Sequence, residues 1–478
     1  MVTDALLTDL YELTMAAGFI HAGKIGDTAT FDLYFRHNPF RGGYAIAAGL
    51  EDAILAVTSA RFSDGDIRYL RSLQVRAGAP LFSEQFLEYL AGYRFRGNIW
   101  AIPEGSVVFP NEPLMQVRGN LIECQLVETI VLCHINFQTL VATKAARMWE
   151  AANHGRVVEF GLRRAQGPNG GMSACRAAYI GGADSTSNVK GAAALGIPPT
   201  GTHAHSWVQS FPSELEAFRS YVRTFPDDSV LLVDTYDVLE SGIPNAILVA
   251  KELERNGHRL LGIRLDSGDL AFLSKKAREM LDQAGLRHVK IVASNELDEF
   301  VIEEILAQGG RIDVWGVGTK LVTAGGEDGG ALGGIYKMVE HNGKPKIKLS
   351  SNPEKMTNPG FKKVVRFIDD DGLMEADVLA HKSEDIGAGD VLIIDPVNPL
   401  RRKKLGSRTR QELLCPIVKD GEVVFQFPSL AEIRARRVAQ LAQLHDSSRR
   451  LHMPHEYKVG MTYKLWRQKE QMFDQEIV

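Results

Sequence analysis

The chain has 478 residues, 45% of them hydrophobic and 24% charged, the composition of an ordinary globular protein. At roughly 150 residues per domain that length predicts two to four domains with a sizeable core. With 55 Lys/Arg against 59 Asp/Glu the net charge is −4, so no global basic field points to nucleic acid or to an anionic membrane.

The first ten residues, with Asp4 and Asp9, lack the basic and apolar regions of a secretory signal. No apolar run approaches the ~18 residues that cross a bilayer. Residues 1–130 read as short strands such as TFDLYF (30–35) and turns at Asn38-Pro39, Gly42-Gly43 and Asn111-Glu112-Pro113. Four cysteines, Cys124, Cys133, Cys175 and Cys415, show no CxxC spacing, so neither a zinc site nor a disulfide framework is expected. Cys124 and Cys133 stand in an apolar stretch and read as core thiols. The expectation is a soluble protein of a reducing compartment, the cytoplasm.

RVVEF (156–160) predicts a strand that runs into GLRRAQGPNGG. SVLLV (229–233), LLGIRL (260–265), VKIVA (289–293) and IDVWGVG (312–318) predict four more, alternating with amphipathic helices. Asn295 is the expected N-cap of a helix over 296–307. Strands alternating with helices of this length make parallel βαβ units. Their carboxyl ends carry Asp234, Asp266, Ser294/Asn295 and Gly316/Gly318/Thr319, where α/β folds place active sites. After residue 340 the pattern returns to charged strands (KIKLS, VVRFID, DVLIID) and a late helix with a Ser429/Glu432 capping box. Residues 401–478 hold 16 Lys/Arg against 9 Asp/Glu, which reads as a solvated helix surface. Three stretches follow. Residues 1–130 and 341–478 build one flanking, mostly β domain, the latter with a helical tail, and 131–340 form the central α/β domain with the active site.

Five segments concentrate polar chemistry. Phe160, followed by Arg163 and Arg164, offers a ring face and two guanidinium forks for a planar anion, or else a core Phe before a surface pair. The run 181–189, containing Ser187, supplies small donors around glycines, or is only a loop. In Thr202-His203-Ala204-His205 the two histidines alternate as on a strand, so they point to opposite faces and suit no shared metal. One of them can act as a general base or nucleophile, or simply pack. Arg264-Leu265-Asp266-Ser267-Gly268-Asp269 puts Arg264 and Asp266 on one face, able to hold a guanidinium, a hydrated Mg²⁺ and a phosphate, or to cap a helix. Gly316-Val317-Gly318-Thr319-Lys320 lacks the spacing of a P-loop and of a dinucleotide fold, leaving a short phosphate cradle of backbone amides.

Together with LTDLYELTM (7–15), EFGLRRAQG (159–167), GTHAHS (201–206), RLDSGD (264–269), GGIYK (333–337) and KLSSNPEKMTNPGFK (348–362), these segments resemble the nicotinate phosphoribosyltransferase family nearly end to end. The resemblance implies an irregular α/β barrel of the type II phosphoribosyltransferase kind, flanked by the second, mostly β domain. It implies that nicotinate and 5-phosphoribosyl 1-diphosphate give nicotinate mononucleotide and pyrophosphate in NAD salvage. ATP hydrolysis would be coupled through an autophosphorylated His205, with Asp266 the other catalytic residue and an indirect Mg²⁺ ligand. Tyr11, Phe160, Arg163, Arg164, Ser187, Thr202 and Arg264 would bind substrate; Ser294, Asn295, Gly316, Gly318 and Thr319 would bind phosphate. Tyr11 would come from the neighbouring subunit of a homodimer.

Nicotinamide-using relatives carry an aspartate where this chain has Ser187. A hydroxyl there donates without adding charge, which favours the acid over the amide. A nicotinamide phosphoribosyltransferase and a non-catalytic phosphate-binding barrel protein are the alternatives. The second fits poorly with the presence of His205, Asp266 and Arg264. Cys415 stands alone, so no structural zinc is expected.

Overall fold

A computed structural model describes residues 5–477, with side chains to residue 475. The chain divides into two compact units, 141–330 and the pair 1–140 with 331–478.

Unit 141–330 is built on six parallel strands in the order Ser185–Thr186, Arg156–Glu159, Val314–Val317, Lys290–Ser294, Gly262–Leu265 and Val230–Leu232. Their β-branched cores (Val157, Val158, Ile263, Ile291, Val292) are buried, as in a parallel sheet covered on both faces. Register lines up the carboxyl ends: Glu159 pairs with Val317, Ser294 with Gly316, Ala293 with Leu265, and Leu232 with Arg264. Phe160, Gly318, Asn295, Asp266 and Asp234 therefore leave the sheet along one rim. The strand order makes a half-barrel with two edges. Thr186 continues beyond one edge through a parallel bridge to Pro199, its N–H donating to the Pro198 carbonyl at 3.1 Å.

The other unit draws on both chain ends. One seven-stranded sheet pairs Thr28–Tyr34 with Ile335–His341 and Met115–Asn120, and reaches Cys415–Lys419. A six-stranded sheet from 362–462 has a core of Phe367, Val378, Ile393 and Leu405. The capping box at Ser429 and Glu432 starts the helix Leu430–Gln443.

Several expectations are corrected. Residues 346–350 are not a strand, because the Lys348 N–H is taken by the Thr357 hydroxyl at 2.9 Å. Asn295 caps no helix: Asn295 and Glu296 have φ of 83° and 41°, and Asp298 caps Glu299–Ala307 by accepting from Phe300 and Val301. Cys133 is exposed, off the stripe of Val127, Val131 and Ile135 that its helix buries; Cys124 is buried. The helical stretch 121–151 is long and apolar enough to cross a membrane by composition, against the expected absence of such a run. Within its most apolar window 67% is buried, so its apolar side chains serve as core.

Candidate active site

The rim of the parallel sheet assembles its polar groups around Asp234, which is nearly buried just after the strand Val230–Leu232. Its Oδ2 accepts the Asp266 N–H at 3.0 Å and the Ser267 hydroxyl at 2.6 Å, which fixes the turn after Leu265. Its Oδ1 is buried without a hydrogen-bond partner among the described residues. The Ser294 hydroxyl, from the next strand, donates to Asp266 Oδ1. Asp266 Oδ2 then lies 3.8 Å from Nε2 of His205, whose Nδ1 is 3.1 Å from the Thr235 hydroxyl. His205 opens the short helix His205–Gln209 with its side chain 41% exposed.

His203 and His205 point different ways, as expected, but not because they share a strand. Residues 201–204 are irregular. His203 turns inward, where its Nε2 accepts the Leu232 N–H at 3.2 Å. Burial, helped by Arg264 and His205, lowers its pKa to about 4. Arg264 donates through Nη1 to the Thr202 hydroxyl, and its Nε is buried with no hydrogen-bond partner among the described residues. Burial, with Arg163 nearby, pulls the guanidinium below its ordinary range, while Asp266 and Asp234 oppose that shift. A buried cation with spare donors is a receptor for an anionic oxygen.

Phe160 extends the rim. Its N–H donates to Val317 O at 2.7 Å, and its half-buried ring lies against Gly316. A Cβ on Gly316 would stand 2.7 Å from two ring carbons, so glycine is what allows the ring to lie there. Gly161 is held equally tightly, since a Cβ there would stand 2.3 Å from Val322. Arg163 and Arg164 follow in the exposed turn Leu162–Arg164. Ser187 leaves the edge strand half-buried, its N–H on Glu159 O at 2.9 Å. Gly318 and Thr319 begin the four-residue helix Thr319–Val322, and Asn295 is exposed in the left-handed turn after Ser294. Tyr11 belongs to the other unit. It sits on the helix Leu10–His21, 45% exposed, with its hydroxyl pKa raised by burial and by Glu128.

Sequence reasoning passed over three contributors. Asp234 was visible as a strand end but had no assigned role. Thr235, one residue on, carried no signal. Glu159 ends an apolar strand with a carboxylate, which was a usable signal. It accepts from the Gly161 N–H through Oε1 and from the Thr186 hydroxyl at 2.5 Å through Oε2, tying together the turns that carry Phe160 and Ser187. Burial raises its pKa.

Three family profiles cover most of the chain: the nicotinate phosphoribosyltransferase N-terminal domain over 6–136, the nicotinate phosphoribosyltransferase family over 156–373, and the C-terminal domain over 361–469. A nicotinate phosphoribosyltransferase of Bacillus subtilis is 44% identical, covering 98% of this chain and 94% of that protein. The chain belongs to the nicotinate phosphoribosyltransferase family. The Homo sapiens nicotinate phosphoribosyltransferase is 36% identical over 96% of this chain and 95% of its own length. A crystal structure of human nicotinic acid phosphoribosyltransferase superposes with a TM-score of 0.87 at 34% identity, over 97% of this chain and 99% of that one. The expected α/β class is therefore the observed one, its barrel present as a half-barrel sheet, with a second unit drawn from both chain ends.

Proposed function

We propose that this chain transfers the 5-phosphoribosyl group of 5-phosphoribosyl 1-diphosphate to nicotinate and couples the transfer to ATP hydrolysis, a step in NAD salvage. The pyridine nitrogen lone pair forms a bond to C1 of the ribose as the C1–O bond to diphosphate breaks, so pyrophosphate leaves and the ring becomes a pyridinium. Membership of the family supports this reaction. The observation that carries the site is the juxtaposition of His205, Asp266, Arg264 and Thr202 on one rim.

Phe160 offers a face for the pyridine ring, and Arg264, with an unused buried donor, pairs with an anionic oxygen. Arg163 and Arg164 lie in an exposed turn where they can meet carboxylate or phosphate. Ser187 donates to the carboxylate without repelling it. Ser294, Asn295, Gly316, Gly318 and Thr319 line the rim for phosphate oxygens.

His205 acts as the phosphoryl acceptor. With Nδ1 engaged by Thr235, Nε2 attacks the γ-phosphorus of ATP, ADP leaves, and water later releases inorganic phosphate. The added charge changes what the diphosphate meets, so the free and phosphorylated forms bind substrates differently.

No group of three or more His, Cys, Asp or Glu that could hold a metal occurs among the described residues. Asp266 and the buried Oδ1 of Asp234, which has no hydrogen-bond partner among the described residues, are the carboxylates that would hold a hydrated Mg²⁺. Magnesium there would neutralise charge on the leaving pyrophosphate.

Leu10, Tyr11 and Met15 are 55%, 45% and 39% exposed on the helix Leu10–His21, an apolar face that supports a homodimer in which Tyr11 serves the neighbouring subunit. The test is product formation from nicotinate, 5-phosphoribosyl 1-diphosphate and Mg²⁺, with phosphate labelling of His205 from γ-labelled ATP. Labelling that persists in His205→Ala removes the histidine's role.

A further inference from the structure

The gap between the two edges of the parallel sheet is bridged by residues 197–204, and the two sides of that bridge are made differently. On the side of Thr186 the bonds are backbone to backbone: Thr186 N–H to Pro198 O, and Thr200 N–H to Thr186 O at 2.9 Å. On the side of Val230–Leu232 the bond is made by a side chain, the Leu232 N–H donating to Nε2 of His203 at 3.2 Å. Leu232 is fully buried, so its amide has no water to turn to. A buried N–H left unpaired costs about 1–3 kcal/mol.

To accept, Nε2 must be unprotonated and the proton must sit on Nδ1, which lies 3.4 Å from the Ala204 carbonyl. The ring is wedged against Tyr221 at 4.8 Å and 63°, with Phe218 at 6.1 Å. Both belong to the helix Glu214–Thr224, which also accepts the Trp207 indole N–H through Ala217 O at 3.1 Å. The residues two before and two after His205 are thus docked on one helix, and His205 between them is presented outward. Thr202, the partner of Arg264, is tied down by the same anchorage.

We infer that His203 is a positioning residue, a neutral latch across the barrel gap that holds Thr202 and His205 against the rim. Its acceptor nitrogen, more than its volume, makes the latch. The inference rests on the proposed reaction only for its kinetic consequence; the latch itself is read independently of activity.

The experiment compares His203→Gln, whose amide oxygen replaces Nε2, with His203→Phe, which fills the space and accepts nothing. Hydrogen exchange at Leu232 reports the latch. Steady-state formation of nicotinate mononucleotide with ATP reports its effect. Histidine-labelled ¹⁵N NMR of the wild type, with His203→Gln as the assigning difference, reports the tautomer at pH 7.

In His203→Phe, Leu232 protection and kcat each fall by roughly tenfold or more, the exchange loss being that of one unpaired amide. The KM for 5-phosphoribosyl 1-diphosphate stays within about threefold, as a displaced rim segment predicts, and Gln restores both quantities to within about threefold. A Phe variant as protected and active as wild type overturns the latch, and so does a Gln variant as damaged as Phe. If Phe does not fold, the Gln comparison and the tautomer decide: an Nδ1–H imidazole supports the latch and an Nε2–H or doubly protonated ring refutes it. A wild type that makes no nicotinate mononucleotide defeats the proposed reaction, while exchange and tautomer still judge the latch.

Discussion

Adding one methyl group to Gly316 displaces chiefly the aromatic face. The new Cβ would stand 2.7 Å from Cδ2 and Cε2 of Phe160 and 3.2 Å from Ser294 Cβ. Carbon atoms pack best near 3.5–4.0 Å, so the ring must retreat by about 1 Å. The backbone of Phe160 is held by its 2.7 Å bond to Val317 O, which leaves ring rotation as the main relief. Overpacking costs typically about 1–3 kcal/mol, and because the ring is half-buried and can swing outward, Gly316→Ala is expected near the lower bound, about 1 kcal/mol. Misplacing a substrate-positioning group by about 1 Å costs up to about a hundredfold in rate. Gly316→Ala should therefore lower kcat/KM for nicotinate by roughly ten- to a hundredfold, with a melting temperature close to wild type. The assay pairs thermal unfolding with steady-state kinetics in each substrate. A folded variant whose kcat/KM for nicotinate stays within about twofold of wild type would refute the assignment of Phe160 as the ring-binding face.

Other perturbations test separate parts of the structure. Glu299 is fully buried against Lys144 Nζ at 2.5 Å and Arg147 Nε at 2.9 Å. Breaking such a pair costs about 3–5 kcal/mol, so Glu299→Gln should lower the melting temperature of this unit by roughly 6–20 °C; an unchanged unfolding curve would contradict it. The His203 pKa of about 4 lies below the unfolded value of about 6.5. The unfolded chain therefore binds the extra proton first, and about 3 kcal/mol of stability disappears as pH falls from 6.5 through 4. In His203→Gln that part of the acid destabilisation should vanish, which urea titrations across the same range would measure. Ser187→Asp should shift the ratio of kcat/KM toward nicotinamide, and an unchanged ratio would remove Ser187 as the determinant.

The parallel strands were legible because β-branched runs ending in Asp, Ser or Gly repeat between amphipathic helices. Boundaries moved by one or two residues, as at Gly262–Leu265 within the expected 260–265. What stayed hidden was set by tertiary partners. His203 and His205 alternate in sequence, yet one ring is recruited to the unpaired amide of Leu232 and the other is left on the rim. Asn295 has the chemistry of a cap, but the chain takes two left-handed residues there and gives the cap to Asp298. Asp234 was noticeable as a strand end, but its hold on Asp266 and Ser267 needed the neighbouring strand in place. The resemblance named the rim residues, while the geometry added Glu159 and Thr235 as their supports.

The most direct measurement is mononucleotide formation from nicotinate and, separately, nicotinamide, with 5-phosphoribosyl 1-diphosphate and Mg²⁺, with and without ATP, in wild type and His205→Ala. Nicotinate alone should react in the wild type, ATP should stimulate it, and His205→Ala should lose the stimulation while keeping a slower uncoupled reaction. Preferred use of nicotinamide, or ATP stimulation undiminished in His205→Ala, would contradict the substrate assignment or the histidine's role respectively.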